Sequence, residues 1–184
     1  MRFFLLFIAI TAFFVTKGQS FDPAVFSQLR FRFIGPDGNR MIAVAGEPGN
    51  PMVSYAGAAS GGVWKTEDMG ISRKPIFDGT EDSSIGAMAL APFNLKQLWV
   101  GTGETFLIRP AHAVGNGVYK SSDGGKNWKY PGLEKTFCIS RVIVHPTDTN
   151  TVYVASQGHA HGPQPERGVY KTTDGGKTWE LIFL

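Results

Sequence analysis

The sequence has little cysteine, since Cys138 is the single one in 184 residues. An intramolecular disulfide is therefore excluded, and we interpret Cys138 as a buried apolar residue, with a reactive thiol as the alternative. Runs of Lys or Arg are also lacking, so we predict neither nucleic acid nor an anionic membrane as a partner. Beyond the first 20 residues no stretch has a helical hydrophobic period, which argues against a helical fold.

The one long apolar run stands at the N-terminus, where residues 3–15 follow Arg2 with a single threonine among them. A positive start, an apolar core of this length and small residues up to Ser20 predict a secretory signal peptide over residues 1–20. A membrane-spanning helix needs about 20 apolar residues, so we predict no membrane anchor. We expect an exported protein that is periplasmic, on the outer surface or secreted. Cleavage would leave 16 basic against 15 acidic residues.

One short sequence occurs three times along the chain. It reads GVYKTTDGGKTW at 168–179, GVYKSSDGGKNW at 117–128 and, in a diverged form, GVWKTEDMGISR at 62–73. The aspartates of the three copies, Asp68, Asp123 and Asp174, are 55 and 51 residues apart. A period of about 50 residues with strand-like content predicts a repeat architecture such as a β-propeller.

We therefore predict an all-β fold, a partial β-propeller of about three four-stranded blades within residues 21–184. The blades are predicted over about 38–80, 81–134 and 135–184. The second inner strand is predicted over Ile85–Ala91, the third strand of blade three over Gly168–Thr172, and the outer strands from Lys74 to Phe77 and from Asn127 and Thr178. Propellers close with about four to eight blades. Three blades leave the ring open, so we expect the rest from a longer chain and a strand at residues 30–34 that completes a missing blade.

The repeated sequence has a physical role at a turn. Asp-Gly between apolar runs predicts a tight turn because glycine adopts positive φ. The aspartate can accept backbone N–H hydrogen bonds, and the following tryptophan has a large apolar face to bury. In the first copy Arg73 replaces this tryptophan, so we expect weaker anchoring there.

The pattern resembles the Asp-box, or bacterial neuraminidase repeat, of sialidases and sortilin-type propellers. In that family the box lies on the propeller rim, away from any active site. The resemblance implies a structural role for Asp68, Asp123, Gly125, Trp128, Asp174, Gly176 and Trp179. Further segments at 60–66, 99–104 and 165–170 extend the similarity over about residues 22–184, to large exported bacterial proteins often labelled glycosyl hydrolases. That resemblance implies several further blades and supplies no catalytic residue.

The candidate site residues lie in the loops and at the starts of inner strands. Glu104 and Asp82, with Glu81 beside them, are the candidate catalytic acids, since glycoside hydrolysis uses two carboxylates about 5–10 Å apart. A contact that organises its own loop is the alternative for Glu104. Candidate ligand-binding residues are Arg40, Arg109, His112, Arg141, His159 and His161. Arg40 and Arg141 are expected to begin inner strands and to point towards the ring axis. We predict no metal or cofactor, because the two neighbouring histidines lack further ligands.

Two functions remain open from the sequence. The first is an exported binding or scaffolding propeller with a protein, peptide or glycan ligand, which the absence of an assembled catalytic constellation favours. The second is a glycoside hydrolase that acts on a polysaccharide through acids on the loop face.

Overall fold

The computed structural model describes residues 22, 24, 40–105 and 113–184. The predicted signal peptide, the predicted strand at 30–34 and the candidates Arg109 and His112 lie outside the described residues. The chain divides into two compact units, Met1–Ile34 and Gly35–Leu184. In the first unit the backbone N–H of Ala24 donates to Asp22 Oδ1 over 2.9 Å. None of the helices in the described part has the length and hydrophobicity that crossing a membrane requires.

The second unit contains three antiparallel sheets of four strands each, in chain order. The first sheet comprises β1 (Met41–Glu47), β2 (Asn50–Ala58), β3 (Val63–Thr66) and β4 (Lys74–Pro75). The second comprises β5 (Ile85–Ala91), β6 (Asn94–Thr102), β7 (Val118–Ser121) and β8 (Lys129–Gly132). A short 3-10 helix (Glu134–Thr136) leads into the third, which comprises β9 (Cys138–Val144), β10 (Val152–Gly158), β11 (Gly168–Thr172) and β12 (Glu180–Phe183). The predicted all-β, unclosed propeller of three four-stranded blades is confirmed.

Two of the outer strands start later than the sequence predicts, and the first outer strand is shorter. The strands expected from Asn127 and Thr178 begin at Lys129 and Glu180. The cause is that the backbone N–H groups of Asn127 and Thr178 donate to the turn aspartates, so that they do not take part in a sheet ladder. β4, expected over Lys74–Phe77, has two residues, and Phe77 is buried between the sheets instead.

Small residues allow the sheets to pack closely near their inner strands. Gly57 on β2 and Gly101 on β6 occupy equivalent positions, opposite Ala43 and Ala87. A Cβ atom on either glycine would collide with an isoleucine of the following sheet, which is Ile85 or Ile139. The hydrophobic pattern alone does not require glycine at these positions; the approach of the next sheet does.

Two hydrophobic cores lie between successive sheets. The core between the first and second sheets contains Ala43, Tyr55, Val63, Phe77, Ile85, Leu98, Val100 and Tyr119. The core between the second and third contains Ala87, Ala91, Trp99, Val118, Ile139, Val142, Val144, Val152 and Val154. Each sheet therefore buries its apolar residues against the next one, as expected for blades of a propeller.

The turns of the three repeat copies share one hydrogen-bond arrangement. In the second, Asp123 Oδ1 accepts from the backbone N–H groups of Lys126 (3.0 Å) and Asn127 (2.9 Å) and from the Ser121 hydroxyl (2.8 Å). The Ser121 hydroxyl in turn accepts from the N–H of Gly125 over 2.8 Å. Equivalent bonds form around Asp68 with Thr66, Gly70 and Ser72, and around Asp174 with Thr172, Gly176 and Thr178.

These bonds favour the ionised form of each aspartate. A side-chain hydrogen bond from Ser72, followed by its backbone N–H, lowers the pKa of Asp68 to about 2. Asn127 does the same to Asp123, again lowering the pKa to about 2, and Thr178 lowers the pKa of Asp174 well below its ordinary value. The turns are therefore fixed by carboxylates that stay charged over most of the pH range.

The tryptophan after each complete turn docks on the preceding sheet. Trp128 Nε1 donates to the carbonyl of Ile76 over 2.6 Å, and its ring meets Phe77 edge-on at 4.8 Å. Trp179 Nε1 donates to the carbonyl of Pro131 over 3.1 Å, and its ring meets Trp99 edge-on at 6.0 Å. The turns of the second and third sheets thus hold neighbouring blades together. The first turn has Arg73 in the tryptophan's place, and its outer strand β4 is the shortest.

Candidate functional site

The acid that the sequence marks most clearly, Glu104, joins the first and second sheets. It lies two residues after β6 with its side chain 1% exposed, and its Oε1 accepts from Arg40 Nη2 in front of β1. Its backbone N–H donates to the Ala113 carbonyl over 2.8 Å, and the Ala113 N–H lies 3.4 Å from its Oε2. Glu104 therefore connects Arg40 to the far end of its own loop. This geometry agrees with the loop-organising alternative.

The second candidate acid, Asp82, shapes the connection between the same two sheets. Its Oδ1 accepts from the backbone N–H (2.6 Å) and the hydroxyl (2.5 Å) of Ser84. The carbonyl of Ser84 in turn accepts from Gly103 N–H over 3.0 Å, next to Glu104. Both candidate acids thus lie at the end of the sheets where the inner strands begin, and both carry structural hydrogen bonds.

Cys138 lies at the same end of the sheets and is buried as a free thiol. Burial, and to a smaller degree the charge of Asp82, raises the pKa of Cys138 to about 11. The thiol therefore stays protonated at neutral pH, and a protonated thiol is a poor nucleophile.

The remaining described candidates do not converge on these acids. Arg141 is the fourth residue of β9 and is exposed, opposite Ala155, so the expectation that it begins the inner strand is wrong. Its position corresponds to Ala43 and Ala87 of the other sheets, and all three inner strands have the same register irregularity just before this position. In the part of the chain that the structure describes, the Arg141 side chain forms no hydrogen bond or ion pair.

The two histidines belong to the loop that follows β10. His159 packs edge-on against Phe137 with ring centroids 5.4 Å apart. Its backbone N–H donates to Gln164 Oε1, and its carbonyl accepts from Arg167. His161 is exposed. Among the described residues no three His, Cys, Asp or Glu side chains come together as metal ligands would.

A large cavity lies elsewhere, between the outer strands of the first two sheets. We call it the rim groove; it has a volume of about 1010 Å³ and is lined by residues that include Lys65, Asp78, Glu81, Tyr119, Trp128 and Tyr130. It also reaches the turns at Asp68 and Asp123. Its volume is in the range of small-molecule binding sites.

Aromatic side chains form one wall of the rim groove. The rings of Tyr119 and Tyr130 are 5.2 Å apart, and Phe77 packs edge-on against both Tyr119 (5.2 Å) and Trp128 (4.8 Å). The Tyr130 hydroxyl donates to the carbonyl of Asn116, which fixes the ring while 43% of the residue stays exposed. Burial, with nearby carboxylates, raises the pKa of Tyr130 to about 12, so its hydroxyl remains a donor.

The sequence interpretation placed function on the loop face and missed this groove. Four of its lining residues, Lys74, Asp78, Tyr119 and Tyr130, were not candidates, and Glu81 was considered only as an acid of the loop face.

Comparison with known proteins gives relatives with the same architecture. No family model matches the chain. A probable oligoxyloglucan-reducing end-specific xyloglucanase of Neosartorya fischeri is 28% identical over 171 residues, which cover 82% of this chain and 19% of that protein. The chain therefore spans about a fifth of the length of this curated relative.

Two solved structures extend the comparison. An ancestral GH74 enzyme superposes with a TM-score of 0.61 and 28% identity, over 79% of this chain and 18% of that one. The GH74 enzyme of Niastella koreensis superposes with a TM-score of 0.57 and 24% identity, over 76% and 21%. At 24% identity, the similarity to the Niastella koreensis enzyme concerns the fold alone. The three sheets therefore share the fold of these two enzymes.

Proposed function

We propose that this chain forms part of an exported Asp-box propeller that binds a polysaccharide. The hydrogen bonds around Asp68, Asp123 and Asp174 support the Asp-box assignment, because each carboxylate closes its own turn. The xyloglucanase relative and the ancestral GH74 enzyme support a glycan ligand over a protein or peptide. A peptide or protein ligand remains the alternative within the binding hypothesis.

The observation that carries binding over hydrolysis is the contact between Glu104 and Arg40. A general acid must donate its proton to the substrate, whereas the Glu104 carboxylate is buried and accepts a hydrogen bond from the Arg40 guanidinium. In Asp82, the other candidate, Oδ1 accepts two hydrogen bonds from Ser84. Neither arrangement suits a general acid, whereas both stabilise the loops that a ligand would meet.

The competing proposal is glycoside hydrolysis by the same acids, and the similarity to a named xyloglucanase is what favours it. It requires two carboxylates on opposite sides of the scissile bond. Under this proposal Glu104→Gln or Asp82→Asn should abolish the release of reducing sugar.

One pair of measurements on the same preparation distinguishes the two. Electrophoresis through gels that contain xyloglucan, and through a panel of other neutral and charged polysaccharides, measures binding as retardation. A reducing-sugar assay on the same panel measures hydrolysis. We expect retardation in at least one gel, no sugar release, and the same retardation for Glu104→Gln. Sugar release that Glu104→Gln abolishes would establish the hydrolase, and no retardation in any gel would refute glycan binding.

A further inference from the structure

The joint between the first two sheets, where the rim groove lies, differs from the joint between the second and third. Between the second and third sheets, Trp179 docks on Pro131 and Trp99, and Lys120 Nζ donates to the Gly175 carbonyl over 3.1 Å. Between the first and second sheets, Trp128 docks in the same way, but β4 ends at Pro75 and leaves its side of the joint open. The open space runs along the outer strands from the turns towards Glu81.

The charged side chains that line the groove are more often acidic than basic. Its carboxylates are Glu67, Asp68, Asp78, Glu81 and Asp123, and its amines are Lys65, Lys74 and Lys126. Asp68 and Asp123 are used by their own turns, and Lys65 donates to Glu67 over 2.7 Å. The carboxylates of Asp78 and Glu81 accept no hydrogen bond within the described residues. Five carboxylates thus face three amines, so the groove has a net negative charge that disfavours an anionic ligand.

The aromatic wall and the polar groups face the same space. Tyr130 offers a fixed and partly exposed ring, with Tyr119 and Trp128 beside it. A pyranose ring has an apolar face of C–H groups and an edge of hydroxyls, so it can cover an aromatic ring while its hydroxyls donate to carboxylates. A neutral oligosaccharide therefore matches the groove better than an anionic ligand does.

We propose that the rim groove is a binding site for a neutral oligosaccharide, with a sugar ring on Tyr130 and sugar hydroxyls on Asp78 and Glu81. This inference rests on the proposed function, since it locates the glycan that the chain would bind. It places that site on the propeller rim rather than at the loop end that holds Glu104.

The test is titration calorimetry of the full chain with three probes of similar length: a xyloglucan oligosaccharide, an anionic oligogalacturonide and a cationic chitosan oligomer. We expect the neutral probe to bind most tightly. Tyr130→Ala should abolish its binding and Tyr130→Phe should largely preserve it. The double variant Asp78→Asn/Glu81→Gln should weaken binding by about three- to tenfold for each hydrogen bond lost.

Tyr153→Ala is the matched control, because Tyr153 lies on the third sheet outside the groove, and its affinity should equal that of the original chain. Thermal melting of every variant separates lost binding from lost folding. Tight binding that Tyr130→Ala and the acid variants leave unchanged would refute the groove while the proposed function stands. Failure of all polysaccharides in the gel assay would refute the proposed function itself. Preference for either charged probe would refute the neutral ligand.

Discussion

Arg40 donates through Nη2 to the Oε1 of Glu104, and this ion pair joins the start of the first inner strand to the end of the second sheet's β6. The two residues are 64 positions apart in the chain. The carboxylate is buried, whereas 28% of the Arg40 side chain is exposed. The pair therefore lies at a joint between blades, and its loss affects that joint first.

Removal of the guanidinium should destabilise the chain measurably. Arg40→Met leaves the buried Glu104 carboxylate without this partner, and we expect a loss of about 2–3 kcal/mol in the free energy of unfolding, less than for a fully buried pair. Urea denaturation followed by circular dichroism measures it. Glu67→Gln, which breaks the exposed pair with Lys65, is the control and should leave the unfolding midpoint nearly unchanged. Equal losses in the two variants would contradict the assignment.

The second turn offers a test of its docking with adjacent glycines. Gly124 and Gly125 both have positive φ, at 76° and 89°, so alanine is strained at either position. A Cβ on Gly124 meets open space, whereas one on Gly125 collides with Ile76 of the first sheet. We expect Gly124→Ala to cost about 1–2 kcal/mol and Gly125→Ala about 1–3 kcal/mol more. The same urea experiment compares them, and identical values would mean that this turn does not pack on the preceding sheet.

Acid should destabilise the fold through the turn aspartates. Their pKa values are lower in the folded chain than the ordinary 3.8, and Asp68 and Asp123 have values of about 2. Because the folded pKa is depressed, the contribution to stability is complete above about pH 4 and is lost as the pH falls towards 2. Melting temperatures between pH 7 and pH 2 should show this decline.

Asn substitution separates the turns from other acid effects. The double variant Asp123→Asn/Asp174→Asn should be less stable at pH 7 and should lose less on acidification. Asp78→Asn removes a carboxylate that accepts no hydrogen bond in the described chain, so its pH profile should follow the original. A double variant with the original acid profile would show that other groups control it.

The outward faces of the first and third sheets should make the isolated chain associate. On the third sheet Ile143 is 54% exposed. The equivalent residue of the second sheet, Ala89, packs against the core between the second and third sheets. On the first sheet Val44 is 77% exposed. The equivalent residue of the second sheet, Met88, packs against the core between the first two sheets. One face can pack on the other in a head-to-tail manner that does not close on two copies.

Sedimentation velocity over a range of concentrations tests this association. We expect species that grow with concentration, and we expect Ile143→Asp and Val44→Asp each to reduce them. Ile71 is 90% exposed but lies in the first turn rather than on a sheet face, so Ile71→Asp is the control and should change nothing. A chain that stays monomeric at all concentrations would contradict the prediction.

Much of the fold could be predicted because each repeat contains its own strand pattern and its own turn residues. The strands Ile85–Ala91 and Gly168–Thr172 have the predicted bounds, since alternation and flanking turn residues are local properties. The outer strands were predicted less well. The N–H groups at their predicted starts donate to the turn aspartates. A hydrophobic pattern does not show whether such an N–H group donates to a side chain or to the neighbouring strand.

The candidate site was harder to predict because its contacts join distant segments. The sequence marked Glu104 and Arg40 separately, without indicating that they meet. Tyr130 follows an outer strand pattern and gives no sign that it faces a cavity. The rim groove lies beside the short β4 strand, for which the sequence pattern predicts two more residues.

The sequence by itself determined that three four-stranded sheets form, because alternating side chains and Asp-Gly turns act within about 50 residues of one another. The tertiary structure alone decided which residues meet between the sheets. Trp128 reaches Ile76 across 52 positions, and Glu104 reaches Arg40 across 64. Those contacts form only when whole sheets pack face to face, so the joints, the buried ion pair and the rim groove are properties of the packing and not of any single repeat.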